Sequence, residues 1–310
     1  MSRNATKDLT TGSPMKLILG FGIPLLFGML FQQFYNMMDT IIVGKFLGVS
    51  ALASVGATGS INFMIIGFCM GVCNGFAIPV AQRFGAKDEH GMRKFVANSV
   101  WLSIIFAVVM AVLVCVFCRQ ILELMNTPED IIDGSYSYIF VIFLGIPATY
   151  MYNLLSGIMR SLGDSKTPLY LLIFSSILNI ILDLLSIIVL KMGVAGAAWA
   201  TVIAQAVSGF CCLGVIWKKF PILHVQREEW QPDKLCILNL CNMGIPMGLQ
   251  YSITAIGSVI IQAAVNSLGS VAVASVAAAV KINMFLCCPY DAMGSTMATY
   301  AGQNVGAGKI

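Results

Sequence analysis

The stretch LGVSALASVGATGSINFMIIGFCMGVCNGFAIPVAQRFGA, residues 47–86, decides the fold, because no charged residue occurs between Lys45 and Arg83. A bilayer core about 30 Å thick needs about 20 apolar residues as a helix, and this run exceeds that length. The whole chain has the same character, with 58% hydrophobic and only 10% charged residues, whereas soluble domains carry about 25% charged residues. The composition therefore excludes a soluble enzyme and a disordered protein, and it predicts a polytopic membrane protein.

The distribution of charge excludes a nucleic-acid-binding protein as well. The formal net charge is only +4, and the basic residues are spread along the chain. Phosphate binding needs a concentrated basic patch, which this sequence does not form. We therefore expect no nucleic-acid partner.

A window of about 20 residues, moved along the chain, finds further apolar runs and predicts an all-α protein with eight transmembrane helices. The predicted spans are Met15–Met38, Ala53–Val80, Phe95–Phe117, Ser135–Ile158, Pro168–Leu190, Val194–Ile216, Leu235–Val265 and Val271–Tyr300. The last two are long enough to tilt or to include an interfacial turn.

Lysine and arginine between the spans predict the orientation, because short cytoplasmic loops are enriched in them. Fourteen lie in the N-terminal tail and the even-numbered loops: Arg3, Lys7, Lys16, Arg83, Lys87, Arg93, Lys94, Arg160, Lys166, Lys218, Lys219, Arg227, Lys234 and Lys309. The opposite loops hold only Lys45, Arg119 and Lys191. We therefore expect a cytoplasmic N-terminus and a multi-pass location in a cell membrane.

The chain also repeats itself at an offset of 221 residues. Leu47-Gly48 matches Leu268-Gly269, Ile61-Asn62 matches Ile282-Asn283, and Gln82, Gly85 and Ala86 match Gln303, Gly306 and Ala307. The Gly-Ile-Pro at residues 22–24 recurs at 244–246 with a one-residue slip. The offset covers six spans, an even number, so both copies cross the membrane in the same direction, as in many two-lobed transporters.

The repeat divides the chain into lobes. We expect an N-terminal lobe at residues 1–220, a cytoplasmic linker at 221–234 and the start of a C-terminal lobe at 235–310. Because the second copy has only two spans, the chain is expected to be about two thirds of a twelve-helix protein.

Four ionisable residues lie at the expected membrane depth: Asp39 at the outer end of the first span, Asp183 in the fifth, and Lys281 and Asp291 in the eighth. Such residues are costly at membrane depth, about 2.5–3.5 kcal/mol for an Asp at the helix centre, and are functional candidates. Lys281 and Asp291 are ten residues apart on one helix, and each is a candidate for either an interfacial or a cavity-lining position.

Asp183 has polar neighbours that suggest a cation site. Asn179 lies four residues earlier on the same helix face, and Thr201 lies in the following span. A carboxylate, an amide oxygen and a hydroxyl suit Na⁺ or a proton. Interhelical hydrogen bonding explains Asn179 and Thr201 equally well.

The ten cysteines do not indicate a metal or redox site. Most lie inside apolar runs, and Cys115 and Cys118 have no further Cys or His nearby to complete a zinc site. Free cysteine commonly serves as a small buried hydrophobic residue. We therefore expect no cofactor.

Several motifs resemble the multidrug and toxic compound extrusion (MATE) family, in particular its MepA-like bacterial branch. They are the run MDTIIVG at residues 38–44, the loop RSLGDSKTP at 160–168 and GVAGAA at 193–198. The resemblance implies a two-lobed exporter of lipophilic organic cations, monomeric at full length, embedded in membrane lipid and driven by H⁺ or Na⁺. It also implies a cation site at Asp39, Asn179, Asp183 and Thr201. The seventh span lacks the glutamate that some members carry, which favours coupling in the first lobe.

Two other functions compete with this interpretation. A lipid-linked saccharide flippase should have a more basic cavity, whereas the predicted spans offer only Lys281 as an intramembrane cation, since Lys16 lies at the very start of the first span. A membrane-embedded enzyme should place His, Asp and Cys together at membrane depth, whereas His90 and His224 both lie in loops. We therefore do not expect an enzyme.

Overall fold

The structure is a computed structural model that describes residues 6–125, 127–266 and 270–309. Side chains are not described at 259, 262, 263, 265, 266, 270–275, 277, 278 and 281. The helices are α1 (Pro14–Leu47), α2 (Val49–Ala57), α3 (Gly59–Gly85), α4 (Glu89–Val116), α5 (Cys118–Leu124), α6 (Ile132–Leu144), α7 (Ile146–Ser161), α8 (Lys166–Leu184), α9 (Gly193–Lys219), α10 (Lys234–Asn266) and α11 (Ser270–Gly306). The described residues contain no β-strand, which confirms the predicted all-α class.

Among the described residues, five helices are long and apolar enough to cross a membrane, namely α1, α3, α4, α9 and α8 with the π-helical turn Leu185–Val189 that follows it. Helices α6 and α7 meet at an angle of 46° and make a sixth crossing if they act as one bent span. Helices α10 and α11 fall outside this set, although they are 33 and 37 residues long. Each of the eight predicted spans coincides with helix in the structure.

Two differences from the predicted spans affect the site. Helix α1 continues to Leu47 rather than ending at Met38, so Asp39 lies inside a helix. Asp183 lies in the last turn of α8, just before the π-helical turn, rather than at the middle of its span. A π-helical turn frequently marks a functional site.

The loop between α7 and α8 is ordered by one carboxylate. Asp164 Oδ1 accepts hydrogen bonds from the backbone N–H groups of Lys166 and Thr167, each at 3.0 Å, and Oδ2 accepts from Thr167 Oγ1 at 2.5 Å. A carboxylate that caps the first N–H groups of a helix also interacts favourably with the helix dipole. The loop therefore fixes where α8 begins.

Helix α10 packs closely along α3 through small residues. A Cβ atom added at Gly75 would lie 2.5 Å from Gly244 Cα, and one at Gly71 would lie 2.5 Å from the Met247 carbonyl oxygen. Without side chains at these points the two backbones approach directly, as is common between membrane helices. The second repeat thus packs against the second predicted span of the first.

The helix contacts reproduce the internal repeat. The repeat equates α1 with α10 and α3 with α11, and accordingly α3 packs on α10 while α1 packs on α11. The close approach of Gly75 to Gly244 has its counterpart at Gly22, where an added Cβ would lie 3.0 Å from Thr296 Oγ1. The contact of α3 with α10 and the contact of α1 with α11 are therefore related by an approximate two-fold axis.

The segment between the repeats is held against the start of α4. Glu229 is 1% exposed and accepts two hydrogen bonds from Arg93 Nε at 2.9 Å and one from the Gln226 backbone N–H at 2.8 Å. Burial would raise the pKa of Glu229, but these bonds and the His90 contact lower it below its usual value. The ion pair between Glu229 and Arg93 therefore attaches the linker to the first repeat.

Candidate functional site: a buried carboxylate pair

Helices α1, α8 and α9 pack together and bring the four predicted site residues into one place. Asp39 is on α1, Asn179 and Asp183 are on α8, and Thr201 is on α9. Asn179 and Asp183 are 1% and 0% exposed, and Asp39 is partly buried. The i, i+4 spacing places both α8 side chains on the face that packs against the other two helices.

Thr201 organises the hydrogen bonds of the cluster. Its hydroxyl donates to the Ala197 carbonyl at 3.2 Å, which uses its only hydrogen. The hydroxyl therefore accepts from Asn179 Nδ2 at 3.2 Å and from the Tyr35 hydroxyl at 3.2 Å. These bonds join α1, α8 and α9 and leave the Asn179 carbonyl oxygen free.

Four oxygen atoms of the cluster are buried and have no hydrogen-bond partner within the described part of the chain. They are Asp39 Oδ1, Asn179 Oδ1, Asp183 Oδ1 and Asp183 Oδ2. The carboxyl groups of Asp39 and Asp183 lie side by side, close enough to share a hydrogen bond if one carries a proton. Buried polar groups are normally satisfied, so these oxygens fit a site that takes up a proton or a hard cation.

Two tyrosines at the site were not predicted from the sequence. Tyr35 bonds to Thr201 one turn before Asp39, and the buried Tyr138 of α6 lies close to Asp39, Asp183 and Tyr35. Tyrosine is common in apolar helices, so neither residue stood out in the sequence. The position of Tyr35 four residues before Asp39 was the one available signal.

Of the two further intramembrane candidates, only Asp291 has a described side chain, and it is not part of this cluster. The Lys281 side chain lies outside the described residues. Asp291 on α11 is exposed and lies near Tyr251 and Cys288. Tyr251 in turn lies beside Asn74, which accepts a hydrogen bond from Arg160 Nη2 at 3.1 Å. A second set of polar residues thus connects the two repeats away from the carboxylate pair, namely Arg160, Asn74, Tyr251 and Asp291.

The remaining residues that could carry metal or redox chemistry are the cysteines and the histidines. All ten cysteines are free. No group of three or more His, Cys, Asp or Glu able to hold a metal ion occurs among residues 6–125, 127–266 and 270–309. His90 Nδ1 contacts Glu229 at 2.9 Å and His224 Nε2 contacts the Trp217 carbonyl at 2.9 Å, so both histidines have partners.

The fold and site together define a multi-pass helical membrane protein with a cluster of buried oxygens that have no hydrogen-bond partner among the described residues. The family model described as MatE matches residues 24–185 and 246–310, which include all four cluster residues. The chain belongs to the MatE family, whose members are transporters rather than enzymes.

Individual relatives agree with this assignment. The chain is 30% identical over 303 residues to the probable multidrug resistance protein YpnP of Bacillus subtilis, covering 97% of the chain and 67% of that protein. It is 25% identical over 278 residues to the multidrug export protein MepA of Staphylococcus saprophyticus, covering 88% of the chain and 60% of that protein. The chain therefore spans about two thirds or less of the length of these relatives.

Solved structures show the same fold. A transporter of the MOP superfamily from Pyrococcus furiosus matches the whole chain with a TM-score of 0.91 at 25% identity, over 68% of its own length. An outward-facing multidrug resistance MATE transporter gives the same TM-score, identity and coverage.

Proposed function

We propose that the chain is the greater part of a multidrug exporter that moves lipophilic organic cations out of the cell in exchange for H⁺ or Na⁺. The observation that carries the proposal is the Asp39–Asp183 pair, which together with Asn179 presents four buried oxygens without a hydrogen-bond partner among the described residues. Such a cluster can hold one coupling cation. The names of the relatives, which include multidrug export and resistance proteins, support the same function.

The coupling step follows from the electrostatics of the pair. Two adjacent carboxylates repel each other when both are ionised, so binding of H⁺ or Na⁺ between them is favoured. Na⁺ would be held by oxygens of Asp39, Asp183 and Asn179, with Thr201 holding the Asn179 amide in place. Because Asp39 is on α1 and Asp183 on α8, ion binding draws these helices together, and ion release lets α1 move.

Exchange of one coupling ion for one singly charged substrate moves no net charge and is driven by the concentration gradient of the ion, whereas the membrane potential contributes for each net positive charge that enters. One elementary charge that crosses about 100 mV releases about 2.3 kcal/mol. At about 150 mV this is about 3.5 kcal/mol, which supports a substrate gradient of a few hundredfold. Alternating access converts that energy into export when the two repeats move relative to each other.

The arrangement in the membrane is part of the proposal. We place the N-terminus and the even-numbered loops in the cytoplasm, because most lysines and arginines are on that side. Residues 1–220 form the N-terminal lobe, 221–234 the linker and 235–310 the start of the C-terminal lobe. We expect a monomer at full length that needs no cofactor.

The substrate class follows from the charge and the apolar character of the spans. Intramembrane acids attract cations, and the 18 methionines and 18 phenylalanines of the chain offer adaptable apolar surface. Flat lipophilic cations suit both features. Ethidium is a probe of this class, and an anionic dye of similar size is its counterpart.

The test measures ion-linked dye binding by the purified chain in lipid nanodiscs. The wild-type chain should bind ethidium, and acidification or added Na⁺ should weaken that binding. Asp183→Asn should remove most of the ion dependence, because the amide cannot take up a proton or neutralise a cation. The intrinsic fluorescence of Trp199, two residues before Thr201, should report the same ion binding.

Asp291→Asn is the matched control, because it removes an intramembrane carboxylate that lies outside the cluster. This variant should keep the ion dependence of the wild-type chain. Unchanged ion dependence in Asp183→Asn would rule out coupling at the pair. Preferred binding of the anionic dye would rule out the cation substrate class while leaving the ion site intact.

A further inference from the structure

The segment before α1 is folded against the protein. We call residues 7–10, Lys7 to Thr10, the N-terminal strap. They lie at the end of the bundle that carries most of the lysines and arginines, which we call the basic end. The strap crosses between the loop after α7 and the last turn of α11, so it contacts both repeats.

The strap is bonded to the first repeat through its backbone. The Lys7 N–H donates to the Leu162 carbonyl at 2.9 Å, and the Lys7 carbonyl lies against Gly163. Gly163 has a φ of +83°, and a side chain there would collide with the strap backbone. The loop after α7 is therefore shaped to receive this segment.

The strap is bonded to the second repeat by three separate groups. The Leu9 N–H donates to Gln303 Oε1 at 2.9 Å, Asn304 Nδ2 donates to the Leu9 carbonyl at 3.3 Å, and Lys309 Nζ donates to the Thr10 carbonyl at 2.8 Å. The Leu9 side chain is 1% exposed and packs with Phe21 and Ala292. Leu9 is therefore held both by hydrogen bonds of its backbone and by apolar contacts of its side chain.

Gln303 connects the strap, the first repeat and the second repeat. Its side chain is 0% exposed, accepts from Leu9 and donates through Nε2 to the Ser161 carbonyl at 2.8 Å. One amide of the second repeat therefore bonds to the strap and to the first repeat. Because a buried amide oxygen left without a partner is costly, this arrangement opposes release of the strap from Gln303.

Charges around Asp8 add to the attachment. Burial would raise the pKa of Asp8, but hydrogen bonds from Thr10 and the nearby Lys87 and Lys309 lower it below its usual value. Lys87 belongs to the first repeat and Lys309 to the second. Asp8 also lines a cavity of about 230 Å³ together with Arg83 and Lys87.

We propose that the N-terminal strap is a latch that holds the basic ends of the two repeats together, and that Gln303 is the positioning residue that fastens it. The inference rests on the proposed alternating-access function. If the two repeats rock against each other, their basic ends must separate in one of the two states. The bonds of the strap span both repeats, so the strap has to release from one repeat before that end can open.

The test compares two glutamines that the repeat makes equivalent. Gln303→Leu removes the amide that fastens the strap, while Gln82→Leu removes its counterpart on α3, which makes none of the strap bonds. Hydrogen exchange of the Lys7 and Leu9 amides should become about tenfold faster or more in Gln303→Leu. Exchange in Gln82→Leu should match the wild-type chain.

A distance measurement tests whether the strap controls the opening. Genetically encoded spin labels at Glu89 and Val305, both exposed, report the separation of the two repeats at the basic end. In lipid nanodiscs, Gln303→Leu should shift the distance distribution to longer values, and Gln82→Leu should not. Lys309→Ala, at an exposed position, should give a smaller shift in the same direction.

Each outcome bears on one part of the proposal. Faster exchange of Leu9 without a longer distance would show that the strap is attached but does not hold the repeats together. Unchanged exchange in both Gln303→Leu and Lys309→Ala would show that these residues do not fasten it. Ion-dependent ethidium binding, measured on the same samples, separates failure of the latch from failure of the proposed transport function.

Discussion

Thr201 is the residue whose replacement tests the geometry of the site without changing its charge. Thr201→Val keeps the shape of the side chain but leaves Asn179 Nδ2 and the Tyr35 hydroxyl without their shared acceptor. Losing such a bond costs about 1–3 kcal/mol, so we expect the ion affinity to fall by about five- to a hundredfold. Ion titration monitored by Trp199 fluorescence measures the change.

Thr201→Ser is the control for this prediction, because it retains the hydroxyl that accepts both bonds. Its ion affinity should stay close to that of the wild-type chain. Equal affinities for the Val and Ser variants would show that the hydroxyl does not position Asn179. Thr201→Val should also unfold at a lower temperature than Thr201→Ser, because its unpaired buried amide and hydroxyl destabilise the fold as well.

The residues of the cluster differ in how far the sequence could predict them. Asp39 and Asp183 stand out because a carboxylate inside an apolar helix is costly, and the spacing of Asn179 from Asp183 places it on the same face. Tyr138 could not be predicted in this way, because a tyrosine in an apolar run has no unusual cost. Its position beside the pair depends on how α6 packs.

At the level of helices, the close packing of α3 on α10 predicts that alanine at Gly75 lowers the stability of the protein. Alanine at Gly214, which lies outside this contact, is expected to raise it. A Cβ at Gly75 would lie 2.5 Å from Gly244 Cα, so Gly75→Ala forces the helices apart and should cost about 1–3 kcal/mol. Gly214 on α9 has nothing within 4 Å of an added Cβ. Gly214→Ala should therefore raise stability by about 0.5–1 kcal/mol through helix propensity.

Thermal unfolding of the two variants in the same detergent measures this difference. The midpoint should fall for Gly75→Ala and rise slightly for Gly214→Ala. A rise for both variants would mean that α3 and α10 are not in direct backbone contact. Changes in ion binding are not expected, because neither glycine touches the carboxylate pair.

The helices themselves were largely predictable, because the hydropathy of the chain determines where they lie. The strap was not, because Leu9 is an isolated apolar residue in a polar segment and its burial depends on Phe21 and Ala292. Such features arise from contacts between elements far apart in sequence.

At the level of the whole molecule, the internal repeat determines how the two halves meet. Gln82 and Gly85 at the end of α3 correspond to Gln303 and Gly306 at the end of α11. Gly85 lies directly against the Gln303 carbonyl, and Gly306 lies directly against the Gln82 carbonyl. The same pair of contacts thus occurs twice, once on each side of the approximate two-fold axis.

This symmetry predicts strong coupling between the two glycines. Gly85→Ala and Gly306→Ala each place a methyl group against a backbone carbonyl, so either one should push α3 and α11 apart and lower the unfolding temperature. Once one methyl group has separated the helices, the second meets less resistance. The double variant should therefore be less destabilised than the sum of the singles, by about 0.5–3 kcal/mol. Strict additivity of the three unfolding free energies would show that the two contacts do not share one helix crossing.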